Sequence, residues 1–418
     1  SLAAGVIFTV PAMLVIGIWV EIQWFPTLAI ALLGGLLGTM FTIALRRLFI
    51  VEEALPYPEG VACREVLVAG EEGGSGALAI VYALGLGAIY GLMVKGFKVV
   101  HSEAESAFEV FKTRMYAGMD LSVALLSVGF IVGIRIASFI FLGGVIGYAI
   151  LVPLVGFLNG WPQSDTLAKG FYTLWLEQVR YVGVGAMVVG GIYTLWSMRK
   201  TIFTGLKKSF VQNDSDDEFH LRTEKDLPMK WVAMVCGILV VLTFFFYWYI
   251  TGSLVLSLAG ALFLAIVSFF FAAVAGYIAG VVGSSNSPVS GMTIATLLFT
   301  VGLVWIVGSY FLGLGQEELM YATLLIAAVV ASSAAIAGDV MQDLKTGHMV
   351  GATPWRQQIA EIVGVITGAF VIGPTIALLH KAFQISSTAC IATNERIVAG
   401  VQEPVSYTHL TLPTILLV

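Results

Sequence analysis

Three short stretches carry most of the side chains that could handle a polar solute. The first is Leu55-Pro56-Tyr57-Pro58-Glu59-Gly60-Val61-Ala62. Here Tyr57 can stack on or hydrogen-bond to an amphipathic solute, and Glu59, with Glu65 beyond it, can meet an amine. Two prolines so close together bar a regular helix, and Gly60 permits backbone angles that other residues avoid. The second stretch, Gly283 to Gly291, holds Ser284, Ser285, Asn286, Ser287 and Ser290. Its Pro288 has no N–H and disfavours a helical conformation at Ser287, which leaves carbonyls open to a ligand. The third runs from Ala337 to Gly347 and on to Gly351, Pro354 and the pair Gln357-Gln358. All three are expected to be broken or re-entrant segments, because they are too apolar and too poor in charge for ordinary loops.

Carboxylates near apolar runs are the second kind of candidate, since a carboxylate inside a membrane is costly to keep ionised and suits proton coupling. Glu361 ranks first, with apolar residues on both sides. Asp339 and Asp343, four apart, share a face if their segment is helical. Asp120 is a fourth candidate, or the cap of a following helix. Lys345 and Arg356 are near enough in sequence to pair with Asp339 and Asp343, so 338–358 is expected to be a cytoplasmic gate whose ion pairs close in one state and open in another. Hydrolytic and redox chemistry has little to stand on. The sequence has no G-x-x-x-x-G-K-[ST], H-E-x-x-H or G-x-S-x-G, and no two histidines in metal-ligand spacing. Its Cys63, Cys236 and Cys390 lie far apart. No metal centre, no cofactor and no enzyme activity is expected.

These residues sit in a chain that must cross a membrane repeatedly. Of its 418 residues 58% are hydrophobic and only 11% are charged, and the mean hydropathy is +0.94. A soluble domain carries about 25% charge. The net charge of -5, with no basic stripe, argues against nucleic acid. At about 20 apolar residues per crossing, spans are expected near 2–20, 27–48, 77–95, 117–135, 137–158, 179–198, 231–250, 254–277, 291–311, 320–337 and 358–380. Arg135 would mark a hairpin turn. Glycine groups such as Gly34-Gly35 with Gly38, Gly85 and Gly87 with Gly91, and Gly183 and Gly185 with Gly190-Gly191 are expected to let helices approach closely.

The fold class expected is an all-α polytopic membrane protein, a multi-span transporter with broken helices. It divides into an N-terminal bundle over 1–200, a linker over 201–230 and a C-terminal bundle over 231–402. Positive residues flanking the linker place it in the cytoplasm. Counting outward from it, 46–76, 278–290 and 338–357 lie on the same side. The connection 95–116, with Lys95, Lys98, Lys112 and Arg114, fits that count poorly.

Taken in order, several phrases resemble the oligopeptide transporter (OPT) superfamily, which includes the yellow-stripe-like carriers of metal chelates. They are Leu-Pro-Tyr-Pro-Glu-Gly-Val-Ala at 55–62, Gly-Met-Asp-Leu-Ser at 118–122, Arg-Tyr-Val-Gly-Val-Gly-Ala-Met at 180–187, Asn-Ser-Pro-Val-Ser-Gly at 286–291 and Ala-Gly-Asp-Val-Met-Gln-Asp-Leu-Lys-Thr-Gly at 337–347. The resemblance covers 1–400, and its last two phrases are the specific ones. It implies proton-driven symport of small peptides or metal-chelate complexes across the plasma membrane, with lipid around the chain and oligomers allowed. It also implies more spans than are read here, which makes the chain a truncated bacterial member. Ser1 already lies in an apolar run, and 403–418 reads as a non-native tail outside the fold. The competing reading is a channel-like or non-transporting membrane module; a channel calls for repeated polar rings, where this chain has irregular helix breaks.

Overall fold

The computed structural model describes residues 2–7, 9–110, 113–162, 166–212, 222–285, 287, 289–311, 313 and 315–383. Two short helices, α1 (Leu2–Ile7) and α2 (Val10–Val15), precede α3 (Trp24–Arg46), which widens into a π-helical turn over Arg47–Glu52. After a break come α4 (Pro58–Glu72) and α5 (Gly74–Gly91). A hairpin of β1 (Glu103–Val110) and β2 (Thr113–Asp120) leads to α6 (Val123–Val132), α7 (Ile134–Gly144), α8 (Val152–Asn159), α9 (Leu167–Leu174) and α10 (Arg180–Gln212). The second half is α11 (Met229–Thr251), α12 (Leu254–Val282), α13 (Val289–Val304), α14 (Gln316–Met349) and α15 (Pro354–Phe383). Among the described residues, eight helices are long and apolar enough to cross a membrane. The chain is a polytopic helical membrane protein.

Helix α14 is the axis of the bundle, packed against α3, α12, α13 and α15. Its stretch from Ala327 to Ala337 consists of small and branched residues, nearly all buried. Glycines of α3 meet it backbone to backbone. A Cβ on Gly34 would lie 2.6 Å from the Val329 carbonyl oxygen, and one on Gly38 would lie 2.5 Å from that of Ser333. Small residues at a crossing are the usual means of helix contact in lipid, where no hydrophobic force separates helix from tail. Buried threonines return their hydroxyls to the preceding turn, as Thr39 does to Gly35 O and Thr42 to Gly38 O, which satisfies these polar groups inside the bundle.

Several expected spans take other forms. Residues 2–20 divide into α1 and α2, because Pro11 removes a backbone donor and Gly17 sits at φ 82. The stretch 117–135 gives its first residues to β2, whose partners run from Glu103–Asp120 to Val110–Thr113, and only Val123–Val132 of the rest is helical before Gly133 turns at φ 85. The hairpin packs on an aromatic stack: Tyr116 lies on Phe171 at 5.2 Å and near Tyr148 at 5.9 Å. Residues 179–198 do form a helix, but α10 continues to Gln212 and so absorbs the first part of the expected linker.

The third stretch is broken only in its last part, at 350–353, where α14 has ended at Met349 and Gly351 sits at φ 72. Ala337–Gly347 is continuous helix within α14, because α14 contains no proline and its glycines there, Gly338 and Gly347, face neighbouring side chains. Of the other glycine groups only Gly191 seats a neighbour, with a Cβ there 3.3 Å from the Val274 side chain of α12. Gly85, Gly87, Gly91, Gly183, Gly185 and Gly190 have nothing within 4 Å of a Cβ, and α5 has no buried residue.

These contacts predict opposite results for two glycines. Gly38→Ala should lower the thermal midpoint in detergent, by overpacking worth about 1–3 kcal/mol. Gly85→Ala should leave it unchanged or raise it slightly, since glycine inside a helix costs about 0.5–1 kcal/mol relative to alanine. Equal effects would contradict the packing described here.

Candidate solute site

The chain leaves α3 through its π-helical turn and passes Ala54 and Tyr57, both at positive φ (49 and 47). The prolines on either side of Tyr57 make a helix impossible there, and Pro58 at the first position of α4 needs no backbone partner. The end of α12 lies alongside. Tyr57 N–H donates to Gly280 O at 2.8 Å and its hydroxyl donates to Gly276 O at 3.0 Å. Tyr57 is fully buried and lines neither of the cavities described below. Its ring fills the space opposite Gly280, where a Cβ would come within 3.0 Å of it. It joins the two breaks as a structural pin, with its phenol pushed up by burial and its polar atoms already paired.

Side chains of α14 complete the junction. Gln342 accepts from Gly60 N–H through Oε1 at 2.8 Å and donates to Ala279 O through Nε2 at 2.8 Å, so one amide spans both breaks. Thr346 donates to Gly60 O at 3.0 Å, and Lys345 Nζ donates to Leu55 O at 2.9 Å. The ion pairs expected of Lys345 and Arg356 with Asp339 and Asp343 are not formed here among the described residues. Lys345 is two residues from Asp343 on a helix, so the two point to different faces, and the lysine caps a carbonyl instead. Arg356 stacks its guanidinium 5.4 Å from the Trp355 ring.

Glu59 has a specific task. One carboxylate oxygen accepts from Ser284 N–H at 3.1 Å and from the Ser284 hydroxyl, and the other accepts from Ser285 N–H at 2.9 Å. Burial alone would push this carboxyl up, but the donors on Ser284 and Ser285 outweigh it and hold it below the ordinary carboxylate range. Glu65 is 61% exposed and pairs with Arg64. Asn286 and Pro288 lie outside the described residues, as does the Ser290 side chain. Ser287 is described: its hydroxyl is buried with no partner.

Two cavities flank α14. One, of about 610 Å³, is lined by Glu59, Cys63, Ser284, Ser285, Ser287 and Gln342, together with Asp339 and Asp343. The other, of about 680 Å³, is mostly apolar and is lined by Glu361, Gln357, Val365 and Ile372, again with Asp339 and Asp343. The two aspartates thus share one helical face and belong to both cavities. Neither oxygen of Glu361 has a hydrogen-bond partner. Asp120 lines neither cavity; it accepts from Ser122 N–H at 2.8 Å, and Ser122 caps α6.

A polar node behind the site escaped the sequence reading. Arg46, 2% exposed, forks onto Asp226 at 2.9 and 3.0 Å. Asp226 also accepts from Gln358 Nε2 at 2.6 Å, while Gln358 Oε1 takes the Leu227 N–H at 2.9 Å. The last part of the expected linker is thereby fastened to α3 and α15. An arginine at the end of an apolar run was the available signal; its partner lies 180 residues away and cannot be read from spacing.

The sequence profile of the family described as OPT oligopeptide transporter protein matches residues 1–412. A Haemophilus influenzae protein named "Putative oligopeptide transporter" is 34% identical over 399 residues, which is 92% of this chain and 63% of that protein. Metal-nicotianamine transporter YSL1 of Arabidopsis thaliana is 22% identical over 84% of this chain and 53% of its own length. Iron-phytosiderophore transporter YSL15 of Oryza sativa subsp. japonica is 21% identical over 88% of this chain and 56% of its own length. The chain thus spans between about half and two thirds of the length of these relatives.

Two expectations follow from the junction. Gln342→Leu strands the Gly60 N–H, which should cost about 1–3 kcal/mol and lower the thermal midpoint accordingly. The Glu59 latch has a defined pH sign. Because its folded value is lowered, its stabilisation is present above the ordinary carboxylate range and is lost as pH falls through the lowered value. The thermal-midpoint advantage of wild type over Glu59→Gln should therefore be full at neutral pH and vanish in acid; an advantage that grows in acid would contradict it.

Proposed function

This chain belongs to the OPT oligopeptide transporter family, and from that premise we propose that it forms the solute pathway of a secondary carrier in the plasma membrane. The solutes are small peptides or metal-chelate complexes, and protons drive their uptake. One observation carries the reading: the first turn of α4, just after the break at 53–57, meets the turn that follows α12 beside α14, and Glu59, Ser284, Ser285, Ser287 and Gln342 line one cavity there. Irregular backbone at membrane depth is tolerated only where protein or a water-filled cavity covers it, and transporters use such breaks to build solute sites. In the metal-chelate case the chelator satisfies the metal and the protein reads the chelator's carboxylates and amines.

The end of the bundle that gathers 46–60, 222–228, 276–287 and 342–358 faces the cytoplasm in this reading, in keeping with the positive residues near the spans. Ser284, Ser285 and Ser287 contact the solute, with Asn286 and Ser290 supplied by the same segment. Proton coupling falls to Glu361. Its carboxyl has no hydrogen-bond partner, so it can take up and release a proton without breaking a contact. Asp339 and Asp343 connect it to the solute cavity, because they line both spaces.

The test is uptake of peptides and chelates into proteoliposomes with and without an inward proton gradient. Accumulation above the external concentration, lost when the gradient is collapsed, is the expected result. Equilibration without accumulation identifies a channel-like module, and no flux identifies a non-transporting one. Glu361→Gln should reduce gradient-driven accumulation at least tenfold while leaving solute exchange across the membrane intact. Unchanged accumulation would remove Glu361 from the coupling step.

A further inference from the structure

The first turn after α12 has a geometry that a latch alone does not require. Gly283 adopts φ 91, and the next two N–H groups, of Ser284 and Ser285, converge on the two oxygens of a single carboxylate. The Ser284 hydroxyl points to the same group. Two successive backbone N–H groups of a turn that aim at one anion form an anion-binding concavity, and such concavities capture terminal carboxylates of peptides. This concavity lies on the wall of the 610 Å³ cavity, and Ser287, on the same wall, keeps a buried hydroxyl without a partner. Its present occupant, Glu59, reaches it on a flexible side chain from the first turn of α4, another element of the cavity wall.

We propose that the Ser284–Ser285 turn is a carboxylate receptor, that Glu59 occupies it as an internal stand-in, and that a solute displaces Glu59 with its own carboxylate. The inference rests on the solute-carrier reading and adds to it the chemical group that is recognised. It reverses the expectation that Glu59 meets a substrate amine, since in the resting state both its oxygens are already spent on the turn. It also links binding to movement. The Glu59 contact ties α4 to the end of α12, so a solute carboxylate that takes its donors releases one of the ties between the two breaks. Free-carboxylate peptides and carboxylate-rich chelators would open the site, and solutes with amidated ends would not.

Cys63 supplies a reporter, being an exposed free thiol on the same cavity wall. The experiment measures protection of Cys63 from maleimide in the whole protein, read at that residue by peptide mass spectrometry. The probes are trialanine and its C-terminal amide. In wild type, trialanine should protect at concentrations about tenfold below those its amide needs, the margin expected between charge-assisted and neutral hydrogen bonds. Glu59→Gln replaces the resident anion by a neutral amide, so the acid-to-amide preference should rise by a further factor of about ten. Equal protection by the two peptides in wild type overturns the receptor while the solute-site reading stands. A loss of affinity for both peptides in Glu59→Gln, with their ratio unchanged, overturns it in favour of an amine contact. No protection by either peptide overturns the receptor and the solute site together. The wild-type comparison decides even if the variant fails to fold.

Discussion

Backbone polar groups buried away from water must find partners in the protein, and this constraint shapes the chain more than any single contact. A helix that breaks at membrane depth frees N–H and C=O groups worth several kcal/mol each if left unpaired. Here two breaks satisfy each other. Tyr57 N–H binds Gly280 O, Gln342 bridges Gly60 to Ala279, Lys345 covers Leu55 O, and Glu59 takes the donors of Ser284 and Ser285. Each group is the partner of a group on another segment. The junction therefore assembles as a unit, and a change at one break is felt at the other through Gln342 and Glu59.

That unit rests on a rigid frame. The α3–α14 crossing is close enough that alanine does not fit at Gly34 or Gly38 without movement, and interiors packed to this degree transmit displacement rather than absorb it. The polar end contrasts with the frame, because its ties are long side chains that can exchange partners. The Arg46–Asp226–Gln358 node fixes the chain ahead of α11 to the same end. The breaks and the side chains that tie them thus sit on the packed frame of α3 and α14.

The class of the protein was legible in its composition, and so were the first two breaks, because proline and glycine act locally. The helical course of 337–347 was not, although the spacing of Asp339 and Asp343 anticipated their shared face. Whether a glycine breaks a helix or seats a neighbour depends on the opposing surface, and Gly338 and Gly347 both have one. The same reason separates Gly38, which seats a helix, from Gly85, which faces open space. Lys345 shows the limit of reading charge by proximity in sequence: it was expected to pair with an aspartate, and helical phase sent it to the Leu55 carbonyl. Asp226 and the strands at 103–120 depend on partners far along the chain, an arginine in one case and an aromatic stack in the other.

The central claim is that the two breaks and α14 enclose one solute site. The most direct measurement is the map of adducts left by a photoreactive tripeptide on the protein in a membrane, read by mass spectrometry. The account predicts adducts confined to 59–63, 283–290 and 335–343, all competed by unlabelled peptide. Competable adducts concentrated on the hairpin at 103–120 or along α5, with the cavity wall unlabelled, would contradict it.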